Sequence, residues 1–189
     1  MTSYLLPDDQ VSAAAFTQRG EGNLPGHLGL VVTVMERGRV EGHFDIVPTH
    51  HAPNGFLHAG SVVTLADSLC GYGTLANVSD TASGFTTIEL KSNFFATALE
   101  GRVHARATPV HIGGATQVWH CEVTHADTGK RMALFRCTQM VLRKGAHNSA
   151  RRRSQNSRNN NPLYYKRRHH CIEANEGTKI RISYSGKPT

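Results

Sequence analysis

The period of apolar and polar positions changes several times along this chain, and each change marks an element. Residues 7–19, PDDQVSAAAFTQR, set Pro7 and two acids ahead of Val11, Ala14 and Ala15, the start signals of a short helix. EGNLPG ends it. HLGLVVTVMERGRVEGHFDIV holds two β-rich runs, about 27–36 and 39–47, split by Arg37-Gly38, which predicts a hairpin. PTHHAPNGF reads as a loop with an Asn54-Gly55 turn signal. Residues 58–77, HAGSVVTLADSLCGYGTLAN, predict one long helix, and NVSDTASG breaks it. Four β-type runs follow at 85–96, 101–112, 116–126 and 131–143, the last three close enough for an antiparallel meander.

The long helix carries no charged face. Val62, Val63, Leu65, Ala66, Leu69, Cys70, Leu75 and Ala76 surround it, and a helix apolar all round is an enclosed one. The economical packing wraps the antiparallel sheet around it, an α+β architecture. Gly60, Gly71 and Gly73 then serve close approach, against the sheet or against a second copy of the helix.

Past Arg143 the periodicity stops. Residues 144–189 hold 11 Lys and Arg against 2 Asp and Glu, while residues 1–143 hold 10 against 12. The formal net charge of +7 therefore belongs to the tail, and any nucleic-acid partner would concern the tail and not the domain at 1–143. A tail this basic, Asn- and Ser-rich and poor in Leu, Val and Phe cannot offset its ordering entropy. It reads as a disordered appendage, as a segment foreign to the domain, or as a nucleic-acid-binding arm.

No apolar run approaches the roughly 18 residues of a membrane span, and MTSYLLPDDQ lacks a basic head and apolar stretch, so no membrane partner and a cytoplasmic location are expected. Cys70, Cys121, Cys137 and Cys171 form no CxxC pair, so reduced, unpaired thiols are expected, without a structural metal. The paired histidines at 50–51 and 169–170 point apart on regular backbone and imply no chelation.

One residue contradicts its surroundings. Asp67 is a carboxylate in the middle of the enclosed helix, where desolvation costs several kcal/mol unless it is hydrogen-bonded or paired. It either pairs within the fold, with a loop or an arginine on the sheet, or it is used. The helix start, His58-Ala59-Gly60-Ser61, offers free backbone N–H groups and the positive end of the helix dipole. His58 and Asp67 stand nine residues apart, about 13 Å along one helix, too far to grip one atom. Two such helices lying antiparallel across a dimer axis would bring the acid of one to the start of the other.

The spacing Gly55, His58, Ala59, Gly60, then six residues, then Asp67, followed by strands containing IELKSNFFATA and HIGGATQVWHCEV, resembles the hotdog-fold acyl-CoA thioesterases. The nearest resemblance is to the phenylacetate-pathway and 4-hydroxybenzoyl-CoA type, over about residues 8–143. It implies a hotdog fold, thioester hydrolysis to a free acid and coenzyme A, no cofactor beyond the coenzyme A of the substrate, and an active site shared across a homodimer, itself paired into a dimer of dimers. Aromatic or medium-chain acyl groups are implied. Asp67 matches the acid that acts as nucleophile or general base, Ala59 the backbone N–H that polarises the carbonyl, and His58 a histidine that orients the loop.

Departures from the pattern are Ala52, where the family often has Gln or Asn, Gly71, where many members have Ser or Thr, and Ala59, where the pattern usually has Gly. Asn54 stands near the first gap. Candidate contacts to the acyl group and coenzyme A are Asn54, Gly55, Gly60, Asn93, Phe94, a glycine nest at Gly113 and Gly114, and Lys130 and Arg131. Two alternatives stay open: a non-catalytic acyl-CoA-binding hotdog protein, and a hotdog hydratase or dehydratase, whose signature motifs are absent.

Overall fold

The computed structural model describes residues 4–144, and the expectations for the tail lie outside them. A short 3-10 turn at Asp8–Gln10 precedes helix α1, Ala13–Gly20, whose N-cap Ser12 accepts the Ala15 N–H. Helix α2, Leu24–His27, is a single turn. Strands β1, Val31–Glu36, and β2, Arg39–Asp45, form the expected hairpin. After a 3-10 turn at Pro48–His50 comes helix α3, Ala59–Asn77. Strands β3, Ala82–Phe94, β4, Arg102–Ile112, β5, Thr116–His125, and β6, Arg131–Arg143, follow among the described residues.

All six strands pair antiparallel in one sheet of order β1-β2-β4-β5-β6-β3. The meander β4-β5-β6 is its centre. Strand β3 closes back onto β6, so β1 and β3 are the sheet's edges. This is the α+β hotdog arrangement, a curved antiparallel sheet around one long helix.

Alternation dictates which side chains meet that helix. On β5, Gln117, Trp119, Cys121 and Val123 are buried while His120 and Glu122 point to the other face. Cα partners on antiparallel strands share a face, so Cys121 stands with Phe135 and Trp119 with Cys137. Against this wall α3 buries Val62, Leu65, Ala66, Leu69, Cys70 and Ala76. Phe16, Phe44, Trp119 and Phe135 fill the remaining core, each contributing roughly 1.5–3 kcal/mol by leaving water.

The glycines of α3 settle the question of close approach in favour of the sheet. A Cβ on Gly73 would lie 2.5 Å from the Trp119 ring, and one on Gly71 would lie 2.8 Å from the Phe85 ring. Gly60 serves a different neighbour, since its Cβ would lie 2.8 Å from His58 Nδ1.

Three boundaries differ from expectation. The helix read over 7–19 begins only at Ala13, because Pro7 and the two acids open a separate 3-10 turn and Ser12 is the residue that caps α1. The run at 27–36 begins as a strand only at Val31, because Leu24–His27 forms α2 with Pro25 in its first turn, where a proline is tolerated. Strand β3 starts at Ala82, inside the segment read as a breaker. The free cysteines Cys70, Cys121 and Cys137 are all buried. On the outer face, Arg102 pairs with Asp45 and Arg106 with Glu41, an ion-pair lattice across β2 and β4. No helix among the described residues is long and apolar enough to cross a membrane.

Candidate active site

The start of α3 is built by short-range bonds. His58 is its N-cap in extended conformation, and its Nδ1 accepts the Gly60 N–H at 2.8 Å. With Nδ1 accepting, the ring's N–H is on Nε2. The His58 N–H donates to the His50 carbonyl, as does the Ser61 hydroxyl, so His50 anchors the whole turn. Ser61 N–H returns to the His58 carbonyl. Among the described residues nothing accepts the Ala59 N–H, which stands exposed at the positive end of the helix.

The loop ahead of the helix is equally tied down. Gly55 takes φ +84°, its N–H donates to the Ala52 carbonyl, and the Asn54 Oδ1 accepts the Phe56 N–H at 3.2 Å. Asn54 therefore spends its carbonyl oxygen on its own turn, an Asx turn of the kind Asn-Gly favours.

Asp67 sits half-buried in the middle of α3. Among the described residues it has no arginine, lysine or histidine partner; its contact is with the Thr87 hydroxyl of β3, 3.2 Å from Oδ1. Thr87 lies 2.9 Å from the Gln139 Oε1 of β6, and Gln139 is wholly buried. Burial pushes the Asp67 carboxyl above its ordinary range, and the hydrogen-bonding side chains of Thr87 and Gln139 oppose that rise. The acid is thus neither neutralised by an ion pair nor turned wholly away from the sheet, since it touches β3, the edge strand.

A cleft of ≈ 440 Å³ opens beside the helix start. His58, Gly60, Ser61 and Thr64 form its α3 wall, Leu24, His27 and Leu28 the opposite wall, and Thr49, His50 and His51 its end. The adjacent histidines do point apart: His50 stacks edge-on against Phe44 at 5.1 Å, and His51 Nε2 meets the Leu99 carbonyl. Burial, then the neighbouring His51, lowers the His50 pKa and favours the neutral ring. A second hollow of ≈ 370 Å³ lies beyond the loop, lined by Phe56, Ala98, Leu99, His125, Lys130 and Met132. Among the described residues no group of three or more His, Cys, Asp or Glu is placed to hold a metal ion.

The remaining candidates scatter. Phe94 pairs with Ala133 on the helix side at the free β3 edge, 46% exposed. Asn93 pairs with Leu134 and faces the opposite side, in an outer groove with Glu89, Lys91, His120 and Arg136. Gly113 and Gly114 turn the β4–β5 hairpin, where the Gly113 N–H donates to the Thr116 carbonyl, so it is not a free nest amide. That hairpin and the β5–β6 turn carrying Lys130 lie at opposite ends of the ten-residue strand β5, roughly 30 Å apart, so within one chain they cannot hold the same phosphate. Arg131 is paired with Glu122.

Sequence reading missed Thr87, Gln139 and Gln117. Period-2 alternation carried a signal for the two glutamines: in RMALFRCTQMVLR the inward series Phe135, Cys137, Gln139 places an amide in the core, and in TQVWHCEV Gln117 leads Trp119 and Cys121.

Residues 54–132 match the family described as the Thioesterase superfamily. The chain is 31% identical to a 1,4-dihydroxy-2-naphthoyl-CoA hydrolase of Listeria monocytogenes, over 62% of this chain and 94% of that protein. It is 28% identical to the proofreading thioesterase EntH of Klebsiella pneumoniae, over 70% and 96%. Among solved structures, a mutant thioesterase of Pseudomonas aeruginosa is similar with TM-score 0.66 at 25% identity, covering 70% of this chain and 94% of that one. A thioesterase family protein of Silicibacter pomeroyi is similar with TM-score 0.61 at 28% identity, covering 70% and 99%. The match extends over nearly the whole length of these relatives and takes in both the helix start and the acid: the chain belongs to the thioesterase superfamily.

Proposed function

We propose that this chain hydrolyses acyl-CoA thioesters, water and the thioester giving a free carboxylic acid and the coenzyme A thiol. The observation that carries the reading is the pair of groups on α3 left unspent among the described residues: the Ala59 N–H without an acceptor and the Asp67 carboxylate without a counter-ion. A tetrahedral intermediate puts negative charge on the thioester oxygen, and an N-terminal helix amide is where such charge is stabilised. The carboxylate removes a proton from water or attacks the carbonyl itself, and both routes require it ionised. His58 holds the Gly60 amide and fixes the loop.

Eight residues of helix separate Ala59 from Asp67, about 12 Å, so one chain cannot bring both to one carbonyl. A second copy solves this. Among the described residues strand β3 has an unpaired edge, and its helix-side residues Leu90 and Phe94 are exposed, 44% and 46%, although they face the core side. Antiparallel pairing of β3 with its mate would cover them and set the two α3 helices antiparallel, Asp67 of each toward Ala59 of the other. Two sites per homodimer follow, and pairing of two dimers belongs to the same reading.

The ≈ 440 Å³ cleft starts at His58 and Gly60, and its apolar wall of Leu24 and Leu28 suits an aromatic or medium-chain acyl group, as in the phenylacetate and 4-hydroxybenzoyl type. Lys130 and Phe56 in the adjoining hollow are the contacts for coenzyme A, a substrate class that carries a cytoplasmic location with it. The test is a panel of acyl-CoA thioesters with a thiol-reactive dye. Turnover that falls to background in Asp67→Asn supports the reading. Tight acyl-CoA binding without turnover in the unaltered protein would replace it with a sensor.

A further inference from the structure

Asp67 ends a row of polar groups that the sheet register assembles. Thr87 on β3, Gln139 on β6 and Gln117 on β5 are consecutive Cα partners across three strands, all on the helix side. Gln117 and Gln139 are 1% and 0% exposed. Gln117 accepts the Trp119 Nε1–H, and Gln139 Nε2 donates to Cys137 Sγ at 3.3 Å. Buried amides are costly unless satisfied, so such a row constrains its members strongly.

Proton counting gives the row a direction. Thr87 has one hydroxyl proton but lies within bonding distance of two acceptors, Asp67 Oδ1 and Gln139 Oε1. If Thr87 donates to Gln139, the Asp67 contact needs a proton on the carboxyl. If the carboxylate is ionised, Thr87 must donate to Asp67, and the Gln139 amide must turn over to donate to Thr87. The far end permits this, because Cys137 can accept from an amide N–H or donate S–H to an amide oxygen. On α3 the Thr64 hydroxyl is committed to the Gly60 carbonyl, and Gly71 contributes none.

We propose that Thr87 and Gln139 form a reversible hydrogen-bond relay whose two orientations match the two charge states of Asp67, making both positioning residues for hydrolysis. The proposal rests on the reading of Asp67 as the reacting acid. Among the described residues no charged group competes: Glu89 and Lys91 of β3 and Arg136 of β6 face the outer side, and the titratable groups on the inner side nearby are the Cys70, Cys121 and Cys137 thiols of α3, β5 and β6. The ionised orientation gives the carboxylate an O–H donor and leaves its second oxygen for water.

The experiment uses the full chain with Thr87→Val, Thr87→Ser and Gln139→Leu. Two readouts are taken: the pH dependence of kcat/KM, and the Asp67 carboxyl titration by carbon-13 NMR without substrate. Thr87→Val should raise the acidic limb and the titration midpoint by about one pH unit, the worth of a hydrogen bond to a charged group. Thr87→Ser should restore both, and Gln139→Leu should move both in the same direction as Thr87→Val. Unmoved midpoints in Thr87→Val, or in Gln139→Leu should the first fail to fold, would overturn the relay. If the unaltered protein proves inactive, the NMR midpoint still decides the relay, while the hydrolase reading falls separately.

Discussion

Replacing Gly73 by Ala sets helix propensity against packing, and the two predict opposite signs. In an exposed helix interior the change should stabilise by about 1 kcal/mol. Here the new Cβ would meet three Trp119 ring atoms at 2.5, 2.7 and 2.9 Å, where carbon contacts normally lie at about 3.5–4.0 Å. Roughly 1 Å of displacement is therefore needed. Trp119 cannot supply it freely: it is wholly buried, and its Nε1–H is held by Gln117. Overpacking costs about 1–3 kcal/mol and a broken buried hydrogen bond about 1–3 more, so after the propensity gain the balance is a loss of about 3 kcal/mol. At about 2–4 °C per kcal/mol, Tm should fall by about 6–12 °C. Lifting α3 would also strain the 3.2 Å contact between Thr87 and Asp67, two turns earlier, and lower kcat. Thermal unfolding followed by circular dichroism reads the sign. A Tm at or above that of the unaltered protein would refute the close helix–sheet contact.

Other outcomes follow from the same geometry. Asp67→Asn should lower kcat by about 10²–10⁴-fold yet raise Tm at neutral pH: with its folded pKa above the unfolded value, the acid is destabilising once pH exceeds the unfolded pKa, so the Tm advantage should shrink as pH falls through the raised folded pKa and vanish below the unfolded one. Ala59→Pro should lower kcat by about 10²–10³-fold with an unchanged fold, because proline is tolerated at the first helical position, His58 already has the extended conformation that precedes a proline, and the deletion removes only the free N–H; circular dichroism beside the kinetics checks both parts. Leu90→Glu on the β3 edge should shift size-exclusion elution to the monomer and abolish turnover; an active monomer would contradict the shared site.

How far the sequence could be read depended on the range of the cause. The long helix announced itself through composition, and the structure begins it one residue past the expected start because His58 is the cap. The four later strands were legible from alternation and turn chemistry, both local. Helix α2 was not: one turn has no periodicity, and Leu24-Pro25-Gly26 spells a turn as readily as a helix. Asp67 was legible as an anomaly because its neighbours on the same helix are apolar. Its contacts were not, because Thr87 and Gln139 reach it only through the register of β3 on β6, including a bulge between Thr87 and Glu89 that alternation cannot locate. Asn93 and Phe94 were read together because they are adjacent, whereas the pleat sends them to opposite faces. The glycine nest was read from composition, but its amide is consumed by the hairpin it forms.

The account stands on a site assembled from Ala59 of one copy and Asp67 of another, and a mixed dimer tests that directly. Ala59→Pro and Asp67→Asn subunits, carried on different tags and co-expressed, would be isolated as the heterodimer by sequential capture. One site then holds both defects and the other none, so the heterodimer should recover about half the turnover of the unaltered dimer while each homodimer stays near background. A heterodimer as inactive as its parents would contradict the account.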